Sequence, residues 1–195
     1  MTHSEASRGR SLQGWALLLL FFGPLAVAAF LYLDTDWRPG ETNNHGELVT
    51  PPLPTPLVSL PTPGGDATGE AFLRHHWSLV YLSRGSCGEA CRADLYNGRQ
   101  MRLALGHMME RVRRVHLYVG AAPEAAFLAA EHPDLSVADA GGPEAAELLA
   151  SFTGQPEGYW LVDPLGNVMM RYPPGQPPRG MMEDLKRLLR LSRIG

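Results

Sequence analysis

Two cysteines, Cys87 and Cys91, are the whole thiol complement of this 195-residue chain. They stand four apart in SRGSCGEACR, directly after the apolar run WSLVYL. At i and i+4 of a helix both sulfurs lie over one turn, where they close a small disulfide or grip a soft ion. Two thiolates suit Cu(I), which prefers sulfur and accepts low coordination. Zinc wants four ligands, and the chain has no second cysteine pair to supply them. The common redox motif C-x-x-C is one residue shorter. Three readings therefore stay open for the pair: structural disulfide, redox couple or copper site.

The elements around the pair favour thiolate chemistry. Trp77 to Leu82 is apolar at nearly every position, as a strand covered on both faces is. From about Ala90 to Arg111, Met101, Leu105, Met108, Met109 and Val112 recur at helical spacing. Cys87 thus follows a strand and opens a helix, whose free N–H groups and dipole stabilise a thiolate. Arg84 and Arg92 act in the same sense, and Glu89 against it. Asp94, three residues beyond Cys91, either modulates it or is solvated on the first helical turns.

Upstream, Gly14 to Leu33 holds twenty residues without a charge, the length a helix needs to cross a bilayer. Gly23 and Pro24 sit mid-span, and Trp15 and Tyr32 near its ends. Arg8 and Arg10 precede the span and Asp34 and Asp36 follow it. The positive-inside rule puts residues 1–13 in the cytoplasm and everything after the span outside. The rival is a cleaved signal peptide ending at Ala26-Val27-Ala28, although the apolar run continues past that point. Either way the cysteines face an oxidising compartment. In a Gram-negative cell this is a single-pass inner-membrane protein with a periplasmic domain.

Residues 34–56 are rich in proline and glycine and read as a spacer. The folded domain is expected over 57–195. Pro56 to Leu60 reads as an edge strand, and Ala71 to His75 as a short helical turn. Val115 to Val119 reads as a second buried strand. Pro123 and Pro143 fit first helical turns, opening PEAAFLAAEH and PEAAELLASF. Tyr159 to Val162 and Asn167 to Tyr172 form a hairpin about Asp163-Pro164-Leu165-Gly166. Met181, Leu185, Leu188 and Leu189 mark a closing helix. This order predicts an α/β fold: a thioredoxin-like domain, a central mixed sheet flanked by helices, carried on a single N-terminal transmembrane helix. A net charge of −3, with no Lys/Arg-rich block, argues against nucleic acid as a partner.

Three stretches resemble the Sco/SenC family, the membrane-anchored, thioredoxin-fold copper proteins of cytochrome c oxidase assembly. WSLVYLSRGSCGEACR is similar to that family's strand, loop and C-x-x-x-C. LVSLPTPGGDATGEAFLRHHW is similar to its preceding strand, Gly-Asp turn and short helix, and YWLVDPLGNVMMRY to its late strand, D-P-x-G turn and strand. The resemblance implies that Cys87 and Cys91 hold copper, or pass electrons to the cysteines of the oxidase's dinuclear copper site. It implies as partner the oxidase copper-site subunit or another copper or thiol protein.

The chain departs from the family pattern at several places. The prolines after the two cysteines are Gly88 and Arg92 here. The family's third copper ligand, a histidine before the late strand, falls at or near Gln155, and no histidine lies between Pro133 and the C-terminus. The expectation is a divergent, two-sulfur site fit for Cu(I) or thiol exchange and poorly fit for Cu(II). A non-catalytic scaffold for oxidase assembly is the further alternative, and the retained cysteines argue against it. Thioredoxin-fold proteins often carry a cis-proline before the third core strand. Gln155-Pro156 is the candidate for it, X-Pro bonds being mostly trans.

The other ligand types read as structural. His75 and His76 sit a strand length from the cysteines. His107 and His116 read as core or surface residues, and nothing argues for His45 in the spacer. The methionine pairs Met108-Met109, Met169-Met170 and Met181-Met182 read as packing.

Overall fold

The structure, a computed structural model, describes residues 5–34, 43–154 and 157–195. It falls into two units, up to Asn43 and from Asn44 onward. The first unit is helix α1, Glu5–Asp34. Its segment Gly14–Leu33 is long and apolar enough to cross a membrane. No part of that segment is buried within the protein, so its leucines and phenylalanines have no protein core to enter.

The second unit is built on one six-stranded sheet. In chain order its strands are β1 (Glu47–Pro54), β2 (Trp77–Arg84), β3 (Val112–Val119), β4 (Leu135–Asp139), β5 (Gly158–Val162) and β6 (Asn167–Tyr172). Their order across the sheet is β1-β6-β5-β2-β3-β4. The β2, β3 and β4 strands run parallel, and β5, β6 and β1 are joined antiparallel. The helices are α2 (Glu89–Leu103), α3 (Ala125–Glu131), α4 (Ala146–Ala150) and α5 (Pro178–Leu191). This is the mixed sheet between helices expected of a thioredoxin-like domain.

Two cores sandwich the sheet. On one face Trp77, Leu79, Tyr81, Tyr159 and Leu161 meet Leu95 and Met101 of α2 and Met181, Leu185 and Leu189 of α5. On the other, Val80, Leu82, Val115, Leu117 and Trp160 meet Leu60, Leu73, Leu148 and Phe152. Alternate residues of β2 therefore enter different cores, which is why its sequence is apolar throughout. The α2 helix reaches the sheet closely at Gly98. A Cβ there would run into the Tyr159 hydroxyl, which itself donates to the Asp94 carbonyl.

Several expectations need correction. The stretch 34–56 is not spacer throughout, because β1 lies inside it and pairs with β6. Its prolines hide it, but it is an edge strand, and its pairing shifts between Leu48 and Leu53, so Pro51 and Pro52 owe no ladder hydrogen bond. Pro56 to Leu60 is not a strand. It runs against 66–70 through loop hydrogen bonds such as Thr68 N to Leu60 O. The helix after the cysteines stops at Leu103, not Arg111. Gly106 at φ +59 turns the chain into a 3-10 segment, Gly106–Arg111, that still tucks Met108 and Met109 against the core. Pro123 precedes α3 instead of lying in its first turn. Pro143 opens a 3-10 turn that leads into α4. The five-residue β4, LSVAD, is a strand not anticipated from the sequence.

Candidate functional site

Between the end of β2 and the start of α2, residues 85–88 form a short loop, and Cys87 and Cys91 are joined there as a disulfide. Their Cα atoms are 5.1 Å apart. Gly88 is the N-cap of α2 and offers no side chain, so the backbone N–H groups of the first turn are left to whatever sits at its mouth. Cys91 is 7% exposed and packs into the α2-side core, while Cys87 is half-buried at its edge.

A cavity of about 340 Å³ opens beside the pair, lined among others by Tyr81, Ser83, Arg84, Cys91, Asp94 and Glu157. Asp94 is not simply solvated. It accepts a hydrogen bond from Tyr81 Oη at 3.1 Å, and burial raises its carboxyl against the lowering effect of that bond. Burial and the neighbouring Asp94 in turn push the Tyr81 phenol up. Tyr81 and Tyr159 face each other at 5.0 Å between ring centroids.

Of the two arginines expected to support a thiolate, Arg84 lines the cavity. Arg92 is committed elsewhere: it pairs with Glu124 at 3.0 Å and lies over the Phe127 ring at 4.5 Å. Glu89 lines the same cavity and opposes a negative sulfur.

The histidines divide cleanly. His75 and His76 precede β2, at the opposite end from the cysteines. His107 is exposed on the 3-10 segment. His45 is held at α5, its Nε2 3.1 Å from Glu183 and its backbone N–H donating to Asp184. His116 is a core residue, but a special one: Nε2 lies 2.8 Å from Ser83 Oγ, and Nδ1 has no partner among the described residues. Its pKa is pushed down to about 4, first by burial and then by His132. The methionine pairs pack against the cores as read.

Sequence reasoning missed the polar floor made by Tyr81, Ser83 and His116. The signal was present: Tyr81 and Ser83, and likewise Arg114, His116 and Tyr118, fall at every second position and so on one face of each strand. Farther along β3, Arg114 is 2% exposed and donates to Asp134, His132 and the Leu95 carbonyl of α2, fastening that helix to the sheet.

As a donor set, two sulfurs over one turn fit Cu(I) once the disulfide is reduced. Among the described residues no group of three or more His, Cys, Asp or Glu side chains gathers to hold a metal ion. The set does not fit Cu(II), which wants nitrogen and more ligands. Gln155, at or near which the family's histidine ligand would fall, and the Gln155-Pro156 bond, the candidate cis peptide, lie outside the described residues.

Comparison with known proteins agrees with the fold. The chain is similar in structure to the apo Sco1 protein of Thermus thermophilus, at 18% identity and a TM-score of 0.60, over 77% of this chain and 99% of that one. It is similar to Arabidopsis thaliana ScoI with copper bound, at 17% identity and 0.57, over 72% and 99%. It is similar to yeast Sco1 at 14% and 0.57, over 74% and 98%. At these identities the likeness is one of fold. No curated protein matches the chain in sequence. The model of one family, described as the transmembrane-like, thioredoxin-like, C-terminal domain, matches residues 77–192. That span is more than half of the chain, and the chain belongs to that family.

Proposed function

We propose that this protein is a membrane-anchored, extracytoplasmic Sco-like assembly factor that handles Cu(I) through Cys87 and Cys91 on behalf of cytochrome c oxidase. The observation that carries the reading is the cysteine pair itself: two sulfurs bridged over the first turn of α2, beside an open cavity, on a fold shared with Sco proteins whose structures hold copper. Copper is cargo in this reading. A partner dithiol, itself oxidised to a disulfide, would supply the two electrons and two protons that open Cys87–Cys91 to a dithiol; the two sulfurs would then hold Cu(I), their protons passing to solvent. The oxidase copper-site subunit is the proposed acceptor. Helix α1 holds the domain at the inner membrane, with its N-terminus in the cytoplasm and the domain in the periplasm.

The full-length chain in detergent tests this. After reduction, Cu(I) is supplied through a competing chelator, and metal per chain is counted by native mass spectrometry. One Cu(I) per reduced chain is expected, lost in Cys87→Ser and in Cys91→Ser. Absence of cysteine-dependent copper at sub-micromolar free Cu(I) removes the copper reading.

A second reading has an observation of its own. The pair is closed as a disulfide, and no third ligand stands by it among the described residues. This favours a thiol–disulfide oxidoreductase that reduces the cysteines of a copper acceptor. A very low reduction potential, with no exchange against a partner thiol, would mark the disulfide as structural and remove this reading.

A further inference from the structure

The sheet face under α2 changes character along its length. At the Trp77 end it is apolar, with Leu79, Val112 and Leu161. At the cysteine end it is polar, with Tyr81, Ser83, His116 and Tyr159 brought together on three adjacent strands. Ser83 lines the cavity that also holds Cys91. Its Oγ is 2.8 Å from Nε2 of His116.

His116 is fully buried, with its ring 5.3 Å from that of Tyr81 and 6.3 Å from that of Tyr118. Burial keeps the ring neutral above a pKa of about 4, so at neutral pH it carries one proton. Nδ1 has no partner among the described residues. An orphaned buried N–H is the rarer kind of unpaired group, which puts the proton on Nε2, donated to Ser83 Oγ. The hydroxyl's own proton is then free to be donated into the cavity.

That cavity needs a donor. Glu89, Asp94 and Glu157 line it against Arg84 alone, so charge there works against an anionic sulfur. Cys87 is the more exposed of the two sulfur-bearing residues, and an incoming thiolate reaches it first. A new S–S bond forms to Cys87, the Cys87–Cys91 bond breaks, and its electron pair leaves on Cys91 inside the cavity. We propose that Ser83, oriented by His116, donates a hydrogen bond to the Cys91 sulfur as the disulfide opens, and so sets how readily the pair is reduced. No proton leaves Ser83 in this step. His116 is a positioning residue. The inference rests on the reading of the pair as a redox couple.

The test is equilibration of the full-length chain, in detergent at neutral pH, with dithiothreitol buffers of stated reduced-to-oxidised ratio, read by alkylation and mass. Hydrogen bonds to charged groups are the strong ones, so Ser83→Ala should move the equilibrium toward the disulfide by about tenfold. Ser83→Thr, which keeps the hydroxyl, should stay within about twofold of the parent. His116→Phe should shift it in the same direction as Ser83→Ala, and Ser136→Ala, exposed on β4 and outside the cavity lining, should not. Ser83→Ala within twofold of the parent, with its melting unchanged, overturns the inference alone. So does a Ser136→Ala shift equal to that of Ser83→Ala. A parent disulfide that excess dithiothreitol leaves closed overturns both the inference and the redox reading.

Discussion

His116 shows how much one buried ring changes the behaviour of a domain. Unfolded, a histidine takes a proton near pH 6.5; folded, this one waits until about 4. Between those values the unfolded chain binds the extra proton, so stability rises with pH there. The contribution is therefore fully present above pH 6.5, is lost as pH falls from 6.5 to 4, and is flat below. A shift of this size corresponds to at most about 3 kcal/mol. His132 is also pushed down, mainly by burial, and adds in the same direction. Urea midpoints at pH 7 and pH 4.5 should differ clearly in the parent, and the difference should shrink in His116→Phe. An unchanged difference in that variant would mean that His116 is not the group responsible. Alternation along VRRVHLYV puts His116 on one face of β3, but its burial, and with it the shift, is set by the packing of the whole fold. The cysteines were legible because their scarcity and spacing are visible without a fold.

Among the elements, β1 was the least legible and is one of the most firmly placed. ELVTPPLP breaks the usual alternation with three prolines, and only its position on the sheet edge makes that tolerable. Its entry is fixed from the far end of the chain. One carboxylate oxygen, Asp184 Oδ2 on α5, accepts the backbone N–H groups of His45 and Gly46 at 2.9 Å each and the Tyr172 hydroxyl at 3.1 Å. No local pattern announces a contact between residues 138 or 139 positions apart. Asp184→Ala leaves those donors without their acceptor and should cost about 2–4 kcal/mol by denaturant unfolding. It should also speed amide exchange at His45 and Gly46 before the rest of the domain. Uniform loss across the sheet would instead mean that β1 is not held separately. The apolar strands β2, β3, β5 and β6 were legible because burial on the sheet imposes composition directly. The end of α2 was not, because its Met and Leu stripe continues through a change of helix type at Gly106.

For the molecule as a whole, the question is whether the disulfide holds the fold or decorates it. The ring closes over only four residues of sequence separation, so in the loop-entropy account its contribution is about 2 kcal/mol at most. The two cores on either face of the sheet do not depend on it. A Cys87→Ser/Cys91→Ser double variant should keep its circular dichroism and melt cooperatively within several degrees of the parent. Collapse of the fold would make the bridge a staple and argue against a working couple. The thioredoxin-like architecture and the apolar helix were both legible in the sequence, since each is written in long composition patterns. The surroundings of the sulfurs were legible only as far as β2 and α2, which flank them; β3 and β5 come in from farther along the chain.

The Asp184 clamp has a mechanical side. A pull applied on the N-terminal side of this domain would reach it where Asp184 holds the backbone N–H groups of His45 and Gly46. Tension arriving there passes through a carboxylate into α5 and the Tyr172 hydroxyl before it loads the β1–β6 ladder. The strand that carries the load, β1, lies three places from β2, whose end leads to the cysteines. Such a pull would be taken up at the sheet's outer edge, away from the sulfur turn.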